Sequence, residues 1–346
     1  MAWTINNGSL FMNPTLYTGN GSTQSINVGF QPDFTWIKTR SGTTGTEGHR
    51  LQDAVRGSTK YLESNGTALE GTQAQGVTSF TSTGFNLGTD GSYNYNTAPI
   101  VSWNWKAGTT SGIVQGGASI TPSAYSFNQT SGFSIIKYQG TGANATVPHG
   151  LNAVPKMILF KSLANSISWI VYSSQLNISS SNCLRLNGTN AAFTESAWND
   201  TRPTTSVFSL GPHNEANNSS GETIAYCFAD VQGFSKMGSY VGNGSTNGTF
   251  VYTGFKPAFV LYKKSSGTEN WFMHDNKRQG YNPDNEYLFP DLSNAEGSLN
   301  RINLLSNGFK ATTSDGGING SGATYIFMAF AENPITSSTG VPSTAR

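Results

Sequence analysis

The chain has 346 residues, with Lys+Arg 20 against Asp+Glu 19, a formal net charge of +1 and only 11% charged residues, where an average globular protein carries about 25%. Nucleic acid and anionic membrane surfaces are recognised through basic stripes; no basic run occurs, so neither is expected as a partner. No apolar stretch approaches the ~18 residues of a membrane-crossing helix, so no membrane insertion is expected, and Met1-Ala2-Trp3-Thr4-Ile5-Asn6 lacks the basic and apolar regions of a secretory leader.

Low charge and 40 glycines could describe a disordered chain, but 7 Trp, 14 Tyr and 20 Phe make it 12% aromatic, and disordered segments are poor in such core formers. Almost every window of helical length contains Gly, Pro or clustered β-branched residues, which nearly excludes long helices. Cys183 and Cys227 are too few for a disulfide scaffold and read as small buried apolar residues, although one bridge remains conceivable.

Along the chain one unit recurs three times. The first copy opens with Tyr17-Thr18-Gly19-Asn20-Gly21-Ser22, passes Gly29-Phe30-Gln31-Pro32, and enters Phe34-Thr35-Trp36-Ile37-Lys38. Residues 109–132 follow as a Gly/Ser/Thr-rich linker. The second copy opens with Tyr138-Gln139-Gly140-Thr141-Gly142 and enters Met157-Ile158-Leu159-Phe160-Lys161; the third opens with Tyr240-Val241-Gly242-Asn243-Gly244-Ser245 and enters Phe259-Val260-Leu261-Tyr262-Lys263. Each closes on an apolar run ending in an aromatic, so that Tyr17 to Trp105 spans 88 residues, and Tyr138 to Phe228 and Tyr240 to Phe330 span 90 each.

Within a copy, short runs of Val, Ile, Phe, Tyr and Trp alternate with Gly/Asn/Ser/Thr/Pro clusters, the punctuation of strands and turns. The expected fold is all-β: three tandem antiparallel β-sandwiches, lectin- or jelly-roll-like, built from one repeated unit. Their bounds are 1–108, 133–232 and 233–334, with 335–346 a loose tail. The Lys-ending and closing strands are apolar on nearly every residue, which places them centrally in a sheet. Tyr17, Trp36, Trp105, Tyr138, Phe228, Tyr240, Phe259 and Phe330 are the expected repeat core. The short connection before Ser239 predicts tighter docking of copies two and three than of one and two.

Candidate chemistry is sparse. His49 precedes Asp53 and Arg56, as His274 precedes Asp275 and Arg278, while copy two carries Tyr172-Ser173-Ser174-Gln175 in the comparable region. Acid–base work would need a positioned nucleophile or second carboxylate at a recurring position, and none recurs, so an Asp–Arg-tied turn is the favoured reading. Glu63 with Glu70, or Asp284 with Glu286, could form a glycosidase pair only by spatial proximity. Asp90-Gly91 and Asp315-Gly316-Gly317 could offer oxygens to calcium, yet isolated Asp-Gly is mostly turn chemistry. No metal, cofactor or catalytic residue is therefore assigned. Aromatics in polar loops suit sugar or protein contacts. The binding candidates are Tyr93, Tyr95, Trp198, Tyr281 and Tyr287, joined by His274, Asp275 and Arg278.

The phrases Tyr17-Thr18-Gly19-Asn20-Gly21-Ser22, Trp103-Asn104-Trp105-Lys106-Ala107-Gly108, Ser235-Lys236-Met237-Gly238-Ser239-Tyr240 and Met328-Ala329-Phe330-Ala331-Glu332-Asn333-Pro334 resemble structural and tail-fibre-like virion proteins of tailed bacteriophages, largely marine and cyanobacterial, over residues 16–334. That resemblance implies a non-enzymatic component of the virion surface, assembled in the host cytoplasm beside other tail or capsid proteins, and homo-oligomeric, a trimer by analogy. Within it a tail appendage binding host-surface glycan is favoured, with a head decoration protein as the alternative; apart from it, a carbohydrate-active enzyme acting on host polysaccharide stays open as a different reading.

Overall fold

The computed structural model describes residues 5, 7–41, 47–278, 282, 284–332, 335–336 and 342–343. It is all-β, with antiparallel sheets and, among the described residues, helices of at most four residues.

One sheet order is used three times. In copy one the strand carrying the opening tyrosine, Met12–Thr18, pairs with the closing strand Pro99–Trp105, which pairs with the Lys-ending strand Phe34–Thr39, followed by Arg50–Asp53. Copy two repeats this with Phe133–Gln139, Glu222–Ala229, Pro155–Ser162 and Ile170–Ser173, and copy three with Ser235–Val241, Thr324–Ala331, Pro257–Lys264 and Trp271–Asp275. The Lys-ending and closing strands are central, as their continuous apolarity implies. A second sheet accompanies each, with fewer strands than the main sheet in copies one and two and as many in copy three: Gln24–Asn27, Gly84–Leu87 and Val77–Thr81 in copy one, Ala145–Pro148 and Val207–Leu210 in copy two, and Phe250–Tyr252, Gly308–Ala311, Gly297–Leu305 and Asp284–Tyr287 in copy three. Residues 109–132 are more than a linker, because Ala124–Asn128 is hydrogen-bonded along the outer edge of the copy-two sheet.

The Tyr-x-Gly-x-Gly phrase is a loop held by one buried asparagine per copy. Asn94, Asn217 and Asn319 are fully buried. Each accepts at Oδ1 from the loop backbone, at Asn20, Thr141 and Asn243. Each returns its amide to loop carbonyls, including Ala143 (2.6 Å) and Ser245 (2.8 Å). The opening tyrosine donates to the carbonyl just before that asparagine: Tyr17 to Tyr93, Tyr138 to Ala216 and Tyr240 to Ile318. The second glycine is left-handed in all three, with φ of 66° at Gly21, 67° at Gly142 and 67° at Gly244, a conformation that costs other residues free energy.

The central strands have two faces with two destinations. Ile37 and Ile100 face a cluster under copy one's small sheet, while Trp36, Val101, Trp103 and Trp105 face a second cluster. In copy two, Ile158, Phe160, Ala225 and Cys227 face inward to that copy, whereas Met157, Leu159, Tyr226 and Phe228 enter the same second cluster as Trp105. Copy three contributes Phe259, Leu261 and Phe330. The last aromatics of the closing strands form a triangle: Trp105–Phe228 6.3 Å, Trp105–Phe330 5.8 Å and Phe228–Phe330 6.0 Å between ring centroids.

Hydrogen bonds close the same ring. At one register position Trp169 Nε1 donates to Glu63 O (2.8 Å), Trp271 Nε1 to Arg185 O (2.8 Å) and His49 Nε2 to Phe289 O (2.9 Å), so copy two bonds to one, three to two, and one to three. His49 Nδ1 accepts from Trp36 Nε1 at 2.8 Å, which assigns the proton to Nε2. Burial, with Lys38 nearby, pushes the imidazole well below its ordinary pKa and keeps it neutral. A parallel backbone ring runs from Glu70 N to Leu163 O, Ala192 N to Ser265 O and Glu296 N to Arg40 O. The strand-ending lysines point the same way: Lys38 Nζ donates to Ser293 O (3.1 Å) and Lys161 Nζ to Thr67 O (3.1 Å). The expected tighter docking of copies two and three is thus replaced by three junctions of one kind, a head-to-tail contact that closes after three steps.

Because the three main sheets share one core, thermal unfolding should be a single cooperative calorimetric transition; separate transitions for separate copies would contradict the shared core. Trp105→Ala should lower stability by about 3–5 kcal/mol, measured by chemical denaturation.

Candidate functional site

The His-Asp-Arg constellations lie on the junctions between copies. Asp275 is 0% exposed. It accepts from Arg278 Nε (2.6 Å), from Arg278 N (3.0 Å) and from Trp103 Nε1 of copy one (3.0 Å). Arg278 continues to Glu296 (3.0 Å) and Met273 O (2.8 Å), and Arg40 of copy one chelates Glu296 and reaches Glu286 (3.0 Å). Asp53 is the same device one junction earlier. It accepts from Tyr226 Oη of copy two (2.6 Å) and from Arg56 Nε (2.5 Å), and Arg56 reaches Glu70 (3.4 Å). Trp103, Tyr226 and Met328 share one register position, as do Asp53, Ser173 and Asp275. Met328 has no proton to donate, and the copy-two position facing it is Ser173 rather than aspartate. The missing Asp-Arg pair of copy two follows from its apolar neighbour.

His274 is buried and stacked on Tyr262 with centroids 5.8 Å apart, Tyr262 Oη lying 3.4 Å from Nε2. Burial alone would raise the Asp275 carboxyl, but Arg278 and the bond from Trp103 outweigh it and hold the pKa below the ordinary carboxylate value. These side chains tie copies together and offer no open face to a substrate.

Most aromatic candidates are also interior. Tyr93 is 1% exposed and accepts from Gln52 Nε2. Trp198 is 1% exposed, packs on Phe160 at 5.1 Å and donates to Asn182 O. Half-buried Tyr287 lies between Phe289 (5.1 Å) and the Arg301 guanidinium (4.9 Å). The polar tips of Tyr93 and Trp198 find partners within the fold, which offsets the cost of burying them. Tyr95 alone is exposed, at 38%, and Tyr281 lies outside the described residues. The described candidates are spread over three copies; those that come together are His274, Asp275, Arg278 and Tyr287 of copy three, with the His274 and Tyr287 ring centroids 6.3 Å apart. The expected core residues Trp36, Trp105, Tyr138, Phe228, Tyr240, Phe259 and Phe330 are buried, and Tyr17 is half-buried. Cys183 and Cys227 are buried free thiols, each pushed up to about 12 by burial. Among the described residues no three His, Cys, Asp or Glu side chains gather as metal ligands.

Open depressions occur among the described residues, one of them, about 250 Å³, at the junction of copies one and two beside Arg56, Glu70 and Lys137. A larger one, about 490 Å³, lies on copy two beside Ser181 and Asp200, whose polar atoms bond each other at 2.7 Å. Another, about 390 Å³, is a groove at the junction of copies two and three. Its copy-three side is formed by Lys236 to Tyr240 and by Phe250, Val251 and Tyr252; copy two contributes Lys156, Gln175 and Asp230. Phe250 is 43% and Tyr252 64% exposed.

Register makes these two aromatics distinctive. Val251 pairs with Phe309 as Ile26 pairs with Phe85 and Val147 with Phe208. The positions on either side therefore read Ser25 and Asn27 in copy one, Thr146 and Pro148 in copy two, and Phe250 and Tyr252 in copy three. Val251 alone turns inward. In the sequence, Phe250-Val251-Tyr252 looks like any buried apolar strand; only its alignment with Gln24–Asn27 marks the flanking aromatics as a departure. Burial lifts the Asp230 carboxyl above its ordinary pKa, opposed by the Met237 N–H that it accepts (2.7 Å) and by Lys236 and Lys156.

The chain belongs to the family described as a domain of unknown function (DUF7483), whose model matches residues 7–334. No curated protein and no solved structure matches it.

Asp275→Asn should cost about 3–5 kcal/mol by leaving the buried Arg278 uncompensated. A carboxylate whose folded pKa is depressed contributes stability that is present above its unfolded pKa and is lost as pH falls through the folded value. Wild-type stability should therefore drop below about pH 4, and the Asp275→Asn variant should show a shallower acid limb in urea titrations across pH.

Proposed function

We propose that this DUF7483 chain is a non-enzymatic component of a phage particle surface, a rigid block of three β-sandwich units that presents one binding groove. The phrase-level resemblance supplies the particle setting. The observation that carries the binding role is the pair Phe250 and Tyr252, exposed at a rim where the sister copies hold Ser25 with Asn27 and Thr146 with Pro148. Exposed aromatics flanking an inward-facing valine contribute little to folding, and surface apolar groups clustered beside a groove mark contact sites.

Against a catalytic reading stands the burial of Asp275 and Arg278 in the junction with copy one. The threefold arrangement also changes the oligomer reading. What a homotrimer achieves by association is reached here within one chain, so a particle would need a single copy at each threefold position. Host-glycan binding remains a second reading, favoured by the Tyr252 ring with the Gln175 amide in the same groove.

Immunogold labelling of intact particles tests the setting: gold on tail or head supports a surface component and tells the two apart, whereas purified particles without the protein defeat it. Phe250→Ser combined with Tyr252→Asn, the residues of copy one, should leave stability within about 0.5 kcal/mol while reducing incorporation into particles or their adsorption to host cells. Unchanged incorporation and unchanged adsorption would dismiss the groove as the working surface.

A further inference from the structure

The repeat shows what fits this groove. In copy two the corresponding space is filled by the chain itself. Ser119 N and Ile120 N donate to Thr146 O (3.1 and 3.0 Å), and Ser123 N donates to Lys137 O (2.8 Å). Ile120, 6% exposed, joins the cluster containing Tyr138 and Val147. By register Thr146 corresponds to Phe250, Lys137 to Ser239, Tyr138 to Tyr240 and Val147 to Val251. The groove of copy three is therefore the place that Ser119–Ala124 occupies in copy two, left open with about 390 Å³ of free volume.

We propose that this groove takes an extended segment of a second polypeptide, laid along Ser239 and Phe250 as residues 119–124 lie along Lys137 and Thr146. One apolar side chain would sit over Tyr240 and Val251, as Ile120 does over their counterparts, with Phe250 and Tyr252 flanking the guest. Backbone pairing to an open strand supplies the affinity and the apolar pocket the specificity.

The charges state what else the guest carries. At the junction of copies one and two, Asp33 accepts from Ser126 Oγ of the covering segment (3.1 Å). Asp33 and Lys156 are equivalent, since their carbonyls accept from Ala54 N and Ser174 N at the same turn. The groove thus offers Lys156 and Lys236 where the covered junction offers an aspartate, and its only acid, Asp230, already holds Met237 N. A guest with a carboxylate where copy two has Ser126 is matched to two ammonium groups.

This proposal rests on reading the groove as the binding surface, and its test is independent of where the protein sits on a particle. The full-length chain is titrated with the twelve-residue peptide Gly117–Asn128 of its own sequence, with the same peptide carrying Ser126→Asp, and with sequences selected from a random dodecapeptide library panned against the protein. The Ser126→Asp peptide should bind more tightly than the parent, selected sequences should carry alternating apolar residues and an acid, and the Phe250→Ser/Tyr252→Asn variant should bind all of them about tenfold or more weakly. Lys156→Ala with Lys236→Ala should remove the preference for the acidic peptide alone. The proposal falls if no peptide binds in a manner dependent on Phe250 and Tyr252. It falls equally if an oligosaccharide panel binds through Tyr252 while the peptides do not, in which case the groove is a sugar site.

Discussion

Trp105, Phe228 and Phe330 are the last aromatics of the closing strands of the three core sheets, and all three rings meet at one point. The rest of the architecture is conditioned by that contact. A sheet strand presents alternate residues to its two faces, so a strand that covers its own small sheet with one set and the common point with the other is apolar throughout. This accounts for the buried run of Phe34–Thr39 and for its counterparts in the other copies. A single copy in isolation would carry one face of its main sheet exposed, with Trp36, Trp103 and Trp105 on it. In repeat proteins stability resides in the contacts between units as much as within them, and here the contacts form a closed ring with no exposed terminal unit.

The polar groups inside that ring follow the same geometry. Position for position, the group facing the neighbour is Trp103, Tyr226 or Met328, and the group facing back is Asp275, Asp53 or Ser173. Where a donor arrives an aspartate receives it, and an arginine balances the charge; where none arrives the charge is absent. Burying an unpaired carboxylate costs several kcal/mol, so the charged pair survives only at junctions able to satisfy it. With 11% charged residues overall, several of the acids and bases are spent on these junctions rather than on the surface, which leaves little for electrostatic steering.

Much of the fold was legible because the repeat and the all-apolar strands report burial directly. The near-equal spacing from Tyr17 to Trp105, Tyr138 to Phe228 and Tyr240 to Phe330 marked the repeat, and the central place of the Lys-ending and closing strands followed from their composition. The mutual arrangement was not legible. Linker lengths suggested a row with one tight and one loose joint, whereas the closing contacts join Arg40 to Glu296 and His49 to Phe289, pairs far apart in the chain that no local pattern links. The burial of two of the binding candidates was hidden for a related reason. Tyr93 and Trp198 sit among polar loop residues, which reads as exposure, yet each polar tip has a partner inside the fold.

Internal repetition also supplies its own control, and this is where the chain's particular role becomes visible. Every feature common to the copies, from the buried asparagines Asn94, Asn217 and Asn319 to the ring of Trp169, Trp271 and His49, is accounted for by folding. A side chain that departs from its two counterparts without serving a junction has no such account. The Asp-Arg pairs depart in copy two, and Met328 explains them. Phe250 and Tyr252 depart in copy three, at a rim where both are exposed and where the sister copy's covering segment, Ser119–Ala124, has no equivalent among the described residues. On the reading we propose, this aromatic rim is the contact for an external partner, and the covered junction of copies one and two is the template for the form such a partner takes.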